Sequence, residues 1–107
     1  MRYAAMQQST PILLEAIALR TCVRAVYNGG RVTLAPHILY QRHDELFIDA
    51  ITIERDDRPP REVKLGTFKL SGLRNLALAG RPFAPEPSFD PGDPRYASAT
   101  LFAVGPD

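Results

Sequence analysis

The sequence has a single cysteine, no long apolar run, and no glycine-rich motif that leads into a helix. One cysteine excludes an internal disulfide and a cysteine-rich zinc site, and it fits a reducing compartment. No window approaches the roughly 18 apolar residues that a membrane-spanning helix needs. The N-terminal segment MRYAAMQQST also lacks the apolar core of a signal peptide. We therefore expect a cytoplasmic protein that does not contact a membrane.

The composition is that of one folded domain, with 107 residues, 45% of them hydrophobic and 23% charged. The net charge of +1 is distributed unevenly. Residues 20–81 carry eleven Lys or Arg and seven Asp or Glu, whereas residues 82–107 carry one Arg and four acids. A basic segment over residues 20–81 and an acidic segment over residues 82–107 can attract each other, or the basic segment can bind an anionic partner.

One helix and a series of short strands are predicted. A helix start signal at Ser9, Thr10 and Pro11 precedes an apolar run, which predicts a helix over residues 9–21. This helix either caps an open end of a barrel or forms a dimer interface. Alternation with a period of two then predicts strands over residues 22–27, 31–41, 46–54, 62–70 and 73–78.

Local signals define the turns and the shape of the sheet. Asn28 and Gly29, followed by Gly30, predict a tight hairpin turn, because Asn-Gly supplies positive φ angles. Pro36 cannot donate to a strand ladder, so the second strand is expected to be bulged or at an edge there. Because a flat sheet of this size would leave exposed edges, the pattern favours a small twisted barrel over residues 22–80.

Residues 81–107 are predicted to form a proline-rich extended arm that ends in a strand. Residues 81–94 hold five of the ten prolines, which excludes a helix or a central strand, and Phe83 and Phe89 are available as anchors. Residues 96–104 predict a strand that completes its own sheet or adds to the edge of a partner's sheet. We favour self-pairing.

The residues show no catalytic constellation. His37 and His43 are the only histidines, and no third ligand lies at a metal-like spacing. Nothing local activates the thiol of Cys22, and the acidic pairs at residues 44–45 and 56–57 fall in predicted turns. We therefore expect no enzymatic activity, no metal and no cofactor.

Basic and aromatic residues alternate near the first two strands. Arg24, Arg31 and Arg42 lie on or beside these strands, with Tyr27 and Tyr40 between them. On a small barrel, such a pattern can bind a phosphate backbone and stack bases. The alternative is that these arginines are the solvated face of a half-buried sheet.

Several segments carry a resemblance to a known family: YNG at residues 27–29, APHIL at 35–39, ELFIDA at 45–50, and FKLSGL leading into LALAGRPF at 68–83. On these segments, residues 19–90 resemble the WYL-domain family. The resemblance implies a five-stranded Sm-like β-barrel. Family members usually follow a DNA-binding helix-turn-helix in bacterial transcription regulators, or accompany phage-defence proteins. The residues before the barrel hold one helix, so we expect no helix-turn-helix in this chain.

The resemblance also implies that a basic and aromatic patch senses a nucleotide or a nucleic-acid fragment. The Trp-Tyr-Leu tripeptide that names the family appears here as Leu46, Phe47 and Ile48. The family arginine near the end of the fourth strand falls on Gly72. Arg74, two residues on and hence on the same strand face, is a candidate substitute, and the sequence leaves open whether it takes this role. The resulting candidate ligand site consists of Arg24, Asn28, Arg31, His37, Phe47 and Arg74.

The favoured function is a non-enzymatic ligand-sensing module that binds a nucleotide or single-stranded nucleic acid on a basic barrel face. The alternative is an interaction module without a small ligand. Such a module would homodimerise through the N-terminal helix or the C-terminal strand, or dock on another protein.

Overall fold

The computed structural model describes residues 2–105, with the backbone alone for residues 2–8. This part of the chain contains one α-helix, six β-strands and two short 3₁₀ helices. In chain order these are α1 (Arg2–Leu19), β1 (Thr21–Tyr27), β2 (Gly30–Arg42), β3 (Glu45–Arg55), β4 (Leu65–Lys69), a 3₁₀ turn (Leu70–Gly72), β5 (Arg74–Pro82), a second 3₁₀ turn (Pro94–Tyr96) and β6 (Thr100–Ala103). The predicted mainly β fold with one helix is confirmed.

All six strands belong to one antiparallel sheet. Its order is β4-β3-β2-β1-β5, and β6 pairs with β2 outside this path. β1 pairs with residues 30–34 of β2, whereas β6 pairs with residues 38–40. Because β3 occupies the other edge of β2 along both stretches, β1 and β6 lie end to end on the same edge. Within residues 2–105, β4 and β5 stand at opposite ends of the sheet and do not pair with each other.

Two-residue turns join β1 to β2 and β2 to β3, and a third follows β3 and is closed by the pairing of Arg55 with Arg58. Both residues have positive φ angles in the turns at residues 28–29 (49° and 75°), 43–44 (53° and 63°) and 56–57 (51° and 68°). Two consecutive positive φ angles are the requirement of a type I′ turn, which joins antiparallel strands without splaying them. The predicted Asn-Gly hairpin is therefore confirmed, with Gly30 as the first residue of β2.

A β-bulge lies at the proline of β2. Pro36 faces Ala50 and Ile38 faces Asp49, so His37 is an extra residue without a partner on β3. The irregularity predicted from Pro36 is confirmed at this point. Bulges bend a strand and change the direction of the bulged side chain. His37 consequently departs from the regular alternation of β2.

The main core lies between α1 and one face of the sheet, called here the inner face. Leu13, Ala16 and Ile17 are buried on the helix, at the spacing of one helical face. On the strands they meet the alternate residues Val23, Ala25, Val32, Leu34, Leu39, Ile48 and Ala50. Burial of each large aliphatic side chain contributes about 1.5–3 kcal/mol relative to exposure. The helix therefore packs on its own sheet.

The opposite face of the sheet, the outer face, is divided into two halves. The covered half lies under the arm, which we define as residues 83–104: a connector over residues 83–99, β6, and Val104. Ile38 and Tyr40 of β2 are buried there with Tyr96 of the arm. The bare half lies around Arg24 and carries exposed side chains.

Four element boundaries differ from the predictions by three residues or more, and one of them is the end of β5, which lies at Pro82 and not at residue 78. The helix begins at Arg2 and contains Pro11, because good helix formers such as Ala, Met and Gln precede the proline. β4 begins at Leu65, after a loop that contains Pro59 and Pro60. The last strand starts at Thr100, and it pairs with its own β2 as favoured from the sequence. Within the described residues, no helix has the length and apolarity needed to cross a membrane.

Candidate functional site

Three arginines of the predicted ligand site lie together on the bare half. On β1, Val26 faces Arg31 of β2 on one side and Arg74 of β5 on the other. Arg24 lies two residues before Val26 and therefore points to the same side of β1. All three arginines are exposed. The central three strands thus present three guanidinium groups on one surface.

Acidic side chains lie on the same surface. The Nη2 atom of Arg31 donates to the Oδ2 atom of Asp57 at 2.6 Å, and Asp56 Oδ1 accepts from the backbone N–H of Arg31 at 3.0 Å. The side chains of this ion pair are 71% and 74% exposed, so the pair contributes at most about 1 kcal/mol. Within the described part of the chain, Arg24 and Arg74 form no ion pair.

An open groove of about 320 Å³ runs across the bare half. Its charged and polar lining comprises Arg24, Arg31, Thr33, Glu54, Asp57 and Asn75. Two guanidinium groups and two carboxylates therefore face one another across it. Asn28, another predicted site residue, is exposed at the tip of the β1–β2 turn, where its φ of 49° serves the turn. Asn28 does not line the groove.

His37 lies on the covered half, away from the three arginines. Its side chain is 0% exposed. Its Nε2 atom accepts from the backbone N–H of Glu86 at 2.9 Å, and its Nδ1 atom lies 2.8 Å from the carbonyl oxygen of Ala35. An imidazole that accepts at Nε2 carries its proton at Nδ1, where it donates to Ala35. The structure therefore places His37 under the arm, and its ligand role stays a prediction.

Two phenylalanines of the arm enclose the His37 ring. The ring centroid lies 5.1 Å from that of Phe83 and 5.2 Å from that of Phe89. Burial lowers the pKa of His37, and this effect outweighs the opposing influence of the Ala35 carbonyl and the Glu86 carboxylate. The neutral imidazole is the form that fits this site.

Phe47, the last predicted site residue, also belongs to the covered half. It lies on β3 opposite Tyr40, and the two rings are stacked with centroids 5.8 Å apart. Phe47 is half-buried and packs against the cluster of Ile38, Tyr40 and Tyr96. The structure therefore groups Phe47 with the arm and not with the arginines.

A buried carboxylate that the sequence reasoning did not single out holds the covered half together. Asp49 is 1% exposed. Its Oδ1 atom accepts from Tyr40 Oη and from Thr67 Oγ1, both at 2.7 Å, and its Oδ2 atom accepts from Tyr96 Oη at 2.5 Å. Burial raises the pKa of Tyr40 and of Tyr96, so both phenols stay protonated as donors. The available signal was an acid inside the apolar run of residues 47–51.

The remaining candidates for chemistry lie apart from one another. Among residues 9–105, no three His, Cys, Asp or Glu side chains come close enough to hold a metal ion. Cys22 is buried, and burial raises the pKa of its thiol, which opposes the thiolate form that a nucleophile needs. The candidate ligand site is therefore the bare half, where the groove brings Arg24 and Arg31 together and Arg74 lies beside it outside the lining.

No family model matches the chain, and no match was found among the curated proteins or among the solved structures. The resemblance to the WYL-domain family therefore stays a prediction from the motifs.

Proposed function

We propose that this chain is a non-enzymatic, WYL-like ligand-sensing module that binds a nucleotide or single-stranded nucleic acid on the bare half of the outer face. The observation that carries the proposal is the strand register, which brings Arg24, Arg31 and Arg74 to one surface around Val26. The proposal includes a five-stranded Sm-like barrel, because the bulges in β2 and β5 bend the sheet in the way that a barrel requires. It also includes the cytoplasmic location expected from the sequence.

The spacing of the arginines favours a ligand with more than one phosphate. Neighbouring strands lie about 4.8 Å apart, so Arg31 and Arg74, on strands two apart, start roughly 10 Å from each other. A single phosphate group is too small to bridge this separation near the strands. Consecutive phosphates of an oligonucleotide provide several anions along such a surface, and guanidinium groups bind phosphate oxygens in bidentate geometry.

A carboxylate in the groove competes with phosphate groups for Arg31. Asp57 already accepts the hydrogen bond of Arg31, so a phosphate at this position replaces a carboxylate. Within the described residues, Arg24 and Arg74 form no ion pair, so a phosphate that binds them displaces no carboxylate. We expect weak, strongly salt-dependent binding whose affinity comes mainly from Arg24 and Arg74.

A titration of the full chain with a labelled single-stranded oligothymidylate of about 12 nucleotides tests the proposal, because this length covers a small basic surface. At about 50 mM salt, where phosphate contacts are strongest, we expect saturable binding. Replacing both Arg24 and Arg74 by Ala should weaken the affinity about 100-fold, since each charge-assisted contact is worth about tenfold or more.

The matched control removes the same two charges elsewhere. Arg61 and Lys64 are exposed in the loop after β3 and do not line the groove. The Arg61→Ala and Lys64→Ala double variant should therefore bind within about threefold of the unmodified chain, since only long-range attraction is lost. Absence of binding at about 50 mM salt, or an equal loss in both double variants, would refute the proposed site.

A second candidate, an interaction module, is favoured by one specific observation. Leu14 and Leu19 are exposed on α1, at 37% and 63%, and Leu101 and Phe102 are exposed on β6, at 52% and 37%. Apolar side chains of this size on a surface mark contact sites when they form a patch. Light scattering distinguishes the candidates: a helix-mediated dimer should dissociate in a Leu14→Asp and Leu19→Asp double variant, whereas a monomer at all concentrations speaks against this role for the helix.

A further inference from the structure

The sheet binds the arm as a protein binds an extended peptide. At the first contact point, His37 uses its Nε2 atom to accept the backbone N–H of Glu86 at 2.9 Å. Phe83 and Phe89, on either side of Glu86 in sequence, both contact the imidazole ring. A buried acceptor for a main-chain donor, with aromatic anchors on both sides, recognises an extended segment that carries two aromatic residues.

The second contact point fixes the end of the arm. Tyr96 is 3% exposed and donates its hydroxyl proton to the buried carboxylate of Asp49. After it, β6 adds to the free edge of β2, and the backbone N–H of Val104 donates to the carbonyl oxygen of His37 at 2.7 Å. Main-chain pairing combined with a side-chain anchor is the mode of binding by strand addition.

The connector also contains hydrogen bonds between its own residues. The backbone N–H of Phe89 donates to Glu86, that of Asp93 donates to Asp90, and the Ser88 hydroxyl donates to the Glu86 carboxylate. These bonds lie within the arm and move with it. β5 ends at Pro82, so the arm begins where the chain leaves this strand. Exchange requires the chain to change direction at this junction, so that the whole arm lies on the other copy.

We propose that the arm is exchangeable: the surface of the covered half that holds His37 and Asp49, called here the arm site, accepts the arm of a second copy of this chain and so forms a reciprocal dimer. Each arm site is then completed by Phe83, Phe89 and Tyr96 of the other copy. The occupant is a second copy, because the segment that complements these contact points is the chain's own residues 83–104. Exchange keeps every contact between the arm site and the arm. Under this condition, domain swapping costs little free energy.

Competition between the attached arm and an added peptide tests whether the arm site accepts an arm from another molecule. The attached arm competes at an effective concentration of about 1 mM, so a synthetic peptide of residues 83–105 should enter the unmodified chain only near that concentration. In a Tyr96→Phe chain the attached arm lacks the hydrogen bond from residue 96 to Asp49 and keeps only the ion pair of Arg95 with this carboxylate, at 3.7 Å. The same peptide should therefore bind this chain about tenfold more tightly, which is the minimum loss expected for a hydrogen bond to a charged group. Shifts of the β2 amide signals in NMR spectra of the labelled chain report the binding.

Two controls make this result specific. A peptide with Phe in place of Tyr96 should lose the tenfold advantage, because it cannot donate to Asp49. An Arg24→Ala chain should bind the peptide as the unmodified chain does, so that the outcome is independent of the ligand site on the bare half. Equal binding of the peptide by the Tyr96→Phe and unmodified chains, or no shift in either at about 1 mM peptide, would overturn the proposal.

A mixing experiment with the unmodified sequence tests the dimer itself. An isotopically heavy copy and a light copy, warmed together at about 1 mM and cooled slowly, should give dimers that contain one copy of each, detected by native mass spectrometry. These mixed dimers should persist in a Leu14→Asp and Leu19→Asp variant, which separates arm exchange from contact through the helix. Monomers alone at about 1 mM would contradict arm exchange.

Discussion

The two halves of the outer face use polar residues in opposite ways, although β2 and β3 contribute to both. On the covered half, the carboxylate of Asp49 and the imidazole of His37 are buried, and each is bound to a donor from the arm. On the bare half, Arg24, Arg31 and Arg74 are exposed, and the ion pair of Arg31 is surrounded by solvent. Burial makes a polar group part of the structure, whereas exposure leaves it available to a ligand.

The division between the halves follows from the pairing of β2. β1 leaves β2 after Leu34, and β6 takes its place on the same edge at Ile38. The bulge at His37 lies between these two stretches. The arm therefore covers the part of the face that β6 reaches.

The largest expected difference between the halves is in stability. Asp49→Ala should lower the free energy of unfolding by about 3–5 kcal/mol, because the hydroxyls of Tyr40, Thr67 and Tyr96 lose their common acceptor in a buried site. On the bare half, Asp57→Asn keeps a residue type that tolerates the positive φ angle of this turn position, and it should alter the free energy of unfolding by no more than about 1 kcal/mol, because its ion pair is exposed. Urea unfolding of both variants measures the comparison, and similar losses would show that the halves do not differ in this way.

A smaller effect should appear in the pH dependence of stability. Burial lowers the pKa of His37 below its unfolded value of about 6.5. The folded chain therefore binds this proton less readily than the unfolded chain. The contribution of His37 to stability should be complete above about pH 6.5 and should decline as the pH falls through the lower folded pKa. Protonation would also place a hydrogen at Nε2, against the N–H of Glu86.

Two histidine variants isolate this contribution. In His37→Gln, the loss of stability on acidification from about pH 7 to about pH 5 should be smaller than in the unmodified chain, because no imidazole titrates under the arm. In His43→Gln, the loss should match that of the unmodified chain, because residue 43 is exposed in the turn after β2. Denaturant unfolding at several pH values gives both results, and the same slope in all three chains would contradict the prediction.

The smallest expected effect concerns Asp57, which in the proposed function competes with the ligand for Arg31. Asp57→Asn should strengthen oligonucleotide binding about two- to fivefold, because Arg31 is freed from an exposed ion pair worth less than about 1 kcal/mol. Asp90→Asn removes one negative charge from an exposed position on the arm and serves as the control. An equal gain in both variants would indicate a general effect of charge and not competition at Arg31.

The local parts of this fold could be predicted from the sequence, and the long-range parts could not. Alternation of apolar residues, the Asn28-Gly29 turn and the irregularity at Pro36 all depend on neighbouring residues, and the structure contains each of them. The last strand was predicted too long. Pro94 cannot donate to a ladder, and the Asp93 side chain caps a 3₁₀ turn, so Tyr96 lies in that turn.

The candidate site was predicted in part for the same reason. Arg24 and Arg31 lie on adjacent strands of one hairpin, so their common face follows from the alternation. His37 and Phe47 were grouped with them, but the position of His37 depends on a bulge and on Glu86, 49 residues away in sequence. Asp49 gained its role from Tyr96, which is 47 residues away. Contacts between residues this far apart in sequence depend on where the arm lies on the sheet, which local sequence patterns do not predict.

The salt dependence of oligonucleotide binding tests the central claim most directly. For a single strand held by the three arginines of the bare half, the logarithm of the binding constant should fall against the logarithm of the salt concentration with a slope of about −2. The double variant Arg24→Ala and Arg74→Ala should reduce this slope to about −0.7, because one phosphate contact remains. A slope near zero in the unmodified chain, or the same slope in both chains, would contradict the assignment of the bare half as the ligand site.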